Sequence, residues 1–478
     1  MPKLLRTVLI IIVSILALGT IAAIILVNTL STDQLKAQIT KAVKNATGRN
    51  FTVQGELHWK LLPRLQLELQ DAVLDNPAGF GPAPFLRVQS IAADVELLPL
   101  LHHQIHVGSI KLSGADVNLQ AKDKEHNNWQ DMLTKTATQS VTTVPTAANN
   151  TSSESGLKIQ HLELQHVNVN YQSPGQVFSA KDLNYQGMLE VEGKPHASGK
   201  SEVSELRFNK LALHAVKTNL EFKNGELILM TTHSQFFEGS LTGKINLHQE
   251  RGHWVMTANE TLQKVNAVAL LNALGKDNLT AGTLSARFQG NSEDVASLPA
   301  SLSGKGEIKL ADVRAEQDTL SHSINQVLTI TQLKNLSDER TENTLFKHFS
   351  TGFRIKHGVI TTENLILHAP RFTITGESTI NLNTKRLAGE LIAALATKPE
   401  AESKNPLQIV MNEFHQTFKD LGGIPLSISG TLDAPKIRPR MDLIAPHLTD
   451  EIVYHAKDQF KKLAPLLKAD NIKKLFKL

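Results

Sequence analysis

From Phe51 onward, apolar and polar residues take turns, and a chain that alternates with a period of two folds into extended strands with one greasy and one wet face. Leu65, Leu67 and Leu69 alternate with Gln66, Glu68 and Gln70. The rhythm returns at Ile105 and Val107, Ile110 and Leu112, Val117 and Leu119, Leu162 and Leu164, Leu365 and Leu367, and Phe372 and Ile374, punctuated by Gly, Asn, Asp and Pro. The expectation is a mainly β chain whose antiparallel sheet is built from hairpins. Helical periodicity is sparse. It predicts a helix from Thr32 and Asp33 through Leu35, Ile39 and Val43 to a stop at Gly48, others near 265–274, 319–333 and 407–421, and an amphipathic tail after Pro446. SIKLSGADVNLQ (109–120) aligns without gaps on HLELQHVNVNYQ (161–172), with four identities in twelve, and NLILHAPRFTIT (364–375) keeps the same rhythm. Three copies of one strand-turn-strand spacing predict a sheet that grows by repetition.

The chain begins with a different constraint. No charged residue occurs from Thr7 to Thr32, and Val8 to Leu30 is almost entirely Leu, Ile, Val and Ala. A helix of this length spans about 34 Å, enough for a hydrocarbon core of about 30 Å. The run is longer than a signal-peptide core, which predicts an uncleaved anchor. Lys3 and Arg6 precede it and Asp33 is the first charge after it, so residues 1–7 are expected in the cytoplasm and the rest across the membrane. The absence of cysteine excludes disulfides, thiolate metal sites and a cysteine nucleophile, and exported chains without disulfides suit a Gram-negative periplasm.

The formal net charge is +4, yet the seven lysines after Ala456, set against Asp458 and Asp470, contribute +5, which leaves about −1 for everything before them. The folded body therefore lacks the basic face that a nucleic-acid binder carries. Residues 134–156 hold eleven Ser or Thr in twenty-three and read as a flexible loop. It separates a region at 31–133 from a middle β region at 157–260; a third β region with helices follows at 261–445, then a basic tail at 446–478.

GRNFTVQGELHWKLLPRLQLELQDAVLDNPAGFG (48–81), PFLRV (84–88), LLPLL (97–101) and the Asn128-Trp129 pair together resemble the N-terminal region of the AsmA family of bacterial envelope proteins. LSGKGEIKL (302–310), FRIKHGVITTENLIL (353–367) and PLSISGTLDAPKIRP (425–439) resemble its C-terminal region. The Ser/Thr-rich insert and the lysine-rich tail depart from the family pattern. The resemblance implies a single-pass inner-membrane protein whose bulk lies in the periplasm and which acts in outer-membrane biogenesis. It also implies an elongated, curved sheet forming a hydrophobic groove, as in bridge-like lipid-transfer proteins.

Such a sheet must bury its apolar face against something. Two packed sheets in a sandwich satisfy the alternation, and so does a groove that takes phospholipid acyl chains. Aromatic residues are 5% of the chain, few for a conventional core. The candidate groove lining is Leu65, Leu67, Leu69, Ile110, Leu112, Val117, Leu119, Leu162, Leu164, Val169, Leu365, Leu367, Phe372 and Ile374. Lys457, Lys461, Lys462, Lys468, Lys473, Lys474 and Lys477 are candidates for an anionic membrane surface, or for a solvated helix capping the sheet. The expected partners are membrane lipids, with outer-membrane or periplasmic assembly proteins as the alternative in which the chain assists assembly without carrying lipid.

No enzyme constellation emerges, and no cofactor or metal is expected. GKPHASGKS (193–201) has five residues between its outer glycines where a phosphate loop needs four. His102, His103 and His106 lack the glutamate of a zinc helix and read as loop histidines. Glu190, Glu192 and Asp312 have no evident partner carboxylate, and Gly304 with Gly306 reads as a hairpin turn.

Overall fold

The computed structural model describes residues 32–60, 65–95, 107–123, 126–130, 158–190, 195–275, 279–315, 344–368, 372–395, 422–432 and 434–444. The expected anchor at 8–30, the Ser/Thr-rich loop, His102, His103 and His106, the helices expected near 319–333 and 407–421, and the lysine tail lie outside them. No described helix is long and apolar enough to cross a membrane. The described residues are mainly strand, and the chain divides into two compact units, Met1–Gln263 with Asn291–Ser297, and Lys264–Gly290 with Leu298–Leu478.

The first unit opens with the expected helix, α1 (Thr32–Thr47), whose Asp33 and Lys44 sit at the ends that favour their charges. Ile39 and Val43 are buried against the sheet that follows. Strands β1 (Phe51–Val53) and β2 (Leu57–Lys60) both pair with β3 (Leu65–Leu74). The sheet then adds one strand at a time through β4 (Leu86–Val95), β5 (Val107–Gln120), β6 (Lys158–Ser173), β7 (Gln176–Glu190), β8 (His196–Phe208), β9 (Leu211–Lys223), β10 (Glu226–Phe236), β11 (Gly239–Glu250) and β12 (His253–Asn266). Two-residue turns close the later hairpins where the sequence tolerates left-handed backbone, as at Asn224 (φ 54) and Gly225 (φ 78) between β9 and β10.

One joint corrects the antiparallel expectation. Strands β5 and β6 run parallel, with Ser109 beside His161 and so on to Gln120 beside Gln172. That pairing is the gapless alignment of the internal repeat, so its first two copies lie side by side in the register in which they align. A parallel joint needs a long crossover, and the connection from β5 to β6 carries the Ser/Thr-rich segment. The strand-turn-strand reading of the repeat is corrected as well. Each of these copies is one unbroken strand, whereas 364–375 ends one strand and begins the next in the second unit.

Continuity across the supposed turns comes from a row of left-handed residues. Asp71 (φ 50), Gly114 (φ 62), His166 (φ 53), Asp182 (φ 51) and Ala215 (φ 49) lie within β3, β5, β6, β7 and β9. At each the inward-facing set changes parity. Buried Leu67 and Leu69 give way to Ala72 and Leu74, Ile110 and Leu112 to Ala115, Val117 and Leu119, and Leu162 to Val167 and Val169. A one-residue slip sends side chains to the opposite face, so the left-handed residue absorbs the slip and keeps one face apolar along the whole strand. Gly114 also makes room, since a Cβ there would collide with the Gln89 side chain. His166 Nδ1 lies 2.8 Å from Asp182 Oδ1, linking neighbouring members of the row on the outer, wet side.

In the second unit, the helix expected near 265–274 is α2 (Ala267–Ala273), capped by the Asn266 side chain, which accepts the Ala269 N–H at 3.1 Å. It is followed by β13 (Leu279–Ser292), and then β14 (Leu302–Ala315), β15 (Thr344–Lys356), β16 (Val359–His368), β17 (Phe372–Asn381), β18 (Arg386–Leu395), β19 (Ile424–Thr431) and β20 (Ala434–Pro439) pair antiparallel in chain order. Gly304 and Gly306 are interior to β14, which corrects the hairpin-turn reading. A side chain at 306 would collide with the Phe353 ring, so this glycine makes space across the strand pair.

The NPAGFG, PFLRV and Asn-Trp segments converge on one corner of the first unit. Asn128 is fully buried; its Nδ2 donates to Asn76 Oδ1 and to the Asn118 carbonyl, both at 2.8 Å, and its Oδ1 accepts the Gln120 N–H at 2.9 Å. Arg49 donates to the Asn128 carbonyl at 2.6 Å and stacks over buried Phe85, while Trp129 packs near Tyr171. These contacts pin the loop after β3 and the chain after β5 to the sheet. Asn128→Ala leaves a buried amide-binding pocket with unmatched donors and acceptors, and is expected to cost about 3 kcal/mol of stability. Urea unfolding of the variant checks this, and a loss below about 1 kcal/mol contradicts the assignment.

Candidate functional site

The inward face of the first unit can be read row by row across the strands, because paired residues share a face. One row runs Leu189, Ala197, Phe222, Leu227, Leu247, Met256; the next runs Gly187, Gly199, Leu220, Leu229, Ile245, Ala258. Two steps further along the strands lie Val203, Val216, Leu241 and Leu262. The other face is wet, with Lys217 Nζ 2.9 Å from Glu202 and Lys181 Nζ 3.1 Å from Glu205.

How the face is covered changes along the unit. From β3 to β6, apolar side chains are buried in a cluster with Ile39 and Val43 of α1, Phe85 and Trp129, and the cluster runs on through Ala180, Val203 and Val216 of β7 to β9. From β8 to β12, most are only half-buried, including Leu220, Phe222, Leu229, Ile245, Leu247 and Leu262. Extensive contacts among the described elements run between neighbouring strands, with α1 against β1 and β2. No facing sheet, as a sandwich requires, lies over this unit among the described residues.

Of the residues expected to line a groove, Leu67, Leu69, Ile110, Leu112, Val117, Leu119, Leu162, Val169, Leu367 and Ile374 are buried. Leu164 and Leu365 are half-buried. Leu65 and Phe372 are placed by their backbone pairing alone, and their side chains lie outside the description, as do all seven tail lysines. The structure gathers the expected residues of β3, β5 and β6 on one face of the first unit and places Leu367 opposite Ile374 in the second. The half-exposed stretch from β9 to β12 was missed by sequence reasoning. Its signal is the alternation in KTNLEFK (217–223) and GKINLHQ (243–249).

A polar row crosses this apolar face. Tyr185 pairs with Ser201, Ser201 with Thr218, Thr218 with Thr231, Thr231 with Gly243, and Gly243 with Glu260. All six are half-buried. The hydroxyl contacts are long: Ser201 Oγ to the Thr218 carbonyl is 3.5 Å, and Thr218 Oγ1 to Thr231 Oγ1 is 3.4 Å. Tyr185 Oη donates to the Ser198 carbonyl at 3.1 Å. The Glu260 side chain lies over Gly243, in the space a Cβ would fill. Burial among Leu241, Ile245, Ala258 and Leu262 pushes its carboxyl up to about 7. Because the folded-state value exceeds the unfolded one, the contribution of Glu260 to stability is full below the unfolded value of 4.5 and is lost as pH rises through about 7. Glu260→Gln is therefore expected to melt several degrees above the parent at pH 8.5 and together with it at pH 4.5, as read by circular dichroism; equal melting at both pH values contradicts this.

The AsmA family model matches residues 1–208. Over 113 residues the chain is 31% identical to Protein AsmA of Escherichia coli strain K12, an alignment that takes in 24% of this chain and 18% of that relative. The chain thus spans well under two thirds of that relative's length. No solved structure matches. Through its first 208 residues, this chain matches the AsmA family.

Proposed function

We propose that the protein works in the bacterial cell envelope, held in the inner membrane by residues 8–30 with its bulk in the periplasm, and that its apolar sheet face receives phospholipid acyl chains during outer-membrane biogenesis. The AsmA match over residues 1–208 supports the envelope setting, and the uncharged run from Thr7 to Thr32 supports the anchor. The observation that carries the lipid reading is the half-exposed apolar face of β8 to β12, which has no facing sheet among the described residues.

The physical case needs no catalytic residue. Each methylene moved through water costs about 0.8 kcal/mol, so a chain of about 16 carbons faces a barrier on the order of 13 kcal/mol. A continuous apolar face lowers that barrier step by step, so the protein acts as a carrier surface and not as an enzyme. The tail lysines from Lys457 to Lys477 add attraction to anionic lipid at a membrane surface, about 1 kcal/mol each.

The detergent-purified full chain, incubated with a phospholipid carrying a fluorescent acyl chain, is expected to retain label on a native gel. The double substitution Leu229→Asp with Ile245→Asp should remove most of the label while thermal unfolding stays cooperative, and Lys244→Asp on the outer face should retain it. A parent chain that carries no label, or equal loss in the Lys244→Asp control, contradicts the reading.

A further inference from the structure

We propose that the polar row from Tyr185 to Glu260 holds the headgroup of the bound amphiphile, and that Glu260 pairs with the ammonium of an amine-bearing headgroup. This inference rests on the acyl-chain reading above and names which lipid the same face prefers.

Three observations point to a headgroup over this row, and the second of them to a cationic one. The row is sandwiched along the strands by apolar neighbours, Leu220, Leu229, Ile245 and Ala258 on one side and Val203, Val216, Leu241 and Leu262 on the other, about 7 Å apart from it at two residues per step. Hydrocarbon lying on either flank leaves the polar part of an amphiphile over the row itself. Second, the paired residues of this face from β7 to β12 include no Lys, Arg or His, and no hydrogen bond or ion pair to Glu260 is found among the described residues. A lone carboxylate in apolar surroundings is costly until a cation meets it, and a guest ammonium with its three N–H donors fits that need. Third, the hydroxyls of Ser201, Thr218 and Thr231 make only long contacts with the protein, so they remain able to donate to phosphate and ester oxygens. From Tyr185 to Glu260 the row crosses five strand spacings, about 24 Å, so a headgroup has a run of equivalent stations before it reaches the carboxylate.

Hydroxyls beside the left-handed residues also serve the backbone. In the second unit, buried Thr362 accepts the Ser378 N–H at 2.7 Å, and Thr351 donates to the Glu363 carbonyl at 3.2 Å, next to Asn364 (φ 52). A row that is purely structural would show no headgroup preference, which is the alternative the test resolves.

In the native-gel assay with the full chain, unlabelled phosphatidylethanolamine and phosphatidylglycerol of identical acyl chains compete for the bound label. The expected result is that the amine-bearing lipid competes on the order of fivefold better with the parent, the factor one partly exposed ionic contact carries. Glu260→Gln should bring the two to parity without loss of label, and Glu260→Lys should favour phosphatidylglycerol. Equal competition in a parent chain that binds label, or a preference unchanged in Glu260→Gln, overturns the headgroup assignment and leaves the acyl-chain reading standing. A parent chain that binds no label fails at that earlier step instead.

Discussion

Every feature of the first unit depends on keeping one face of very long strands apolar. Its β5 and β6 are 14 and 16 residues long, well beyond the usual 5 or 6. Side chains alternate strictly in a strand, so a single irregularity anywhere along such a length sends half of the apolar side chains to water. The row of left-handed residues at Asp71, Gly114, His166, Asp182 and Ala215 turns that hazard into a shared feature. In β3, β5, β6, β7 and β9 the shift falls at that residue, and the apolar face continues on both sides of the seam.

Two surfaces of different character follow from that continuity. Near β3 to β6, the helix α1 and the corner built by Asn128, Arg49, Phe85 and Trp129 close over the face, and its leucines become an ordinary core. Polar substitution at Leu67 or Leu112 would therefore damage folding, because both sit in that core. Farther along, from β8 to β12, the same face is only partly covered, and the polar row divides it into two apolar tracks. The acyl-chain binding proposed above falls on this second stretch, whose side chains are only half-buried.

The period-two pattern made the β class and most strand positions legible, because alternation is dictated by which face is wet. The helix α1 was legible from its cap and spacing, and α2 from its spacing alone. Gly114 misled, since a glycine flanked by Ser113 and Ala115 reads as a turn while the backbone uses it as a left-handed step inside a strand. His166, its counterpart in β6, carries no such local signal, and only the alignment of the two copies would have linked them. That alignment also held the parallel joint, for two segments that match without gaps can pair without shift; the hairpin punctuation elsewhere pointed the other way. Glu260 was invisible as a site, being one more carboxylate in a strand until the ladder from Tyr185 across six strands shows which face it occupies.

The central claim is that one continuous face, with its parity reset at the seam, meets lipid. Its most direct test places a photo-crosslinking phenylalanine derivative at each position of β9 in turn, from Leu211 to Phe222, in the full chain in living cells, and reads lipid adducts by mass spectrometry. The account predicts adducts at 211 and 213, and then at 216, 218, 220 and 222, with the phase stepping by one at Ala215 and the intervening positions silent. Adducts of equal yield on both faces, an unbroken odd-numbered series through the whole strand, or no lipid adduct at any position would contradict it.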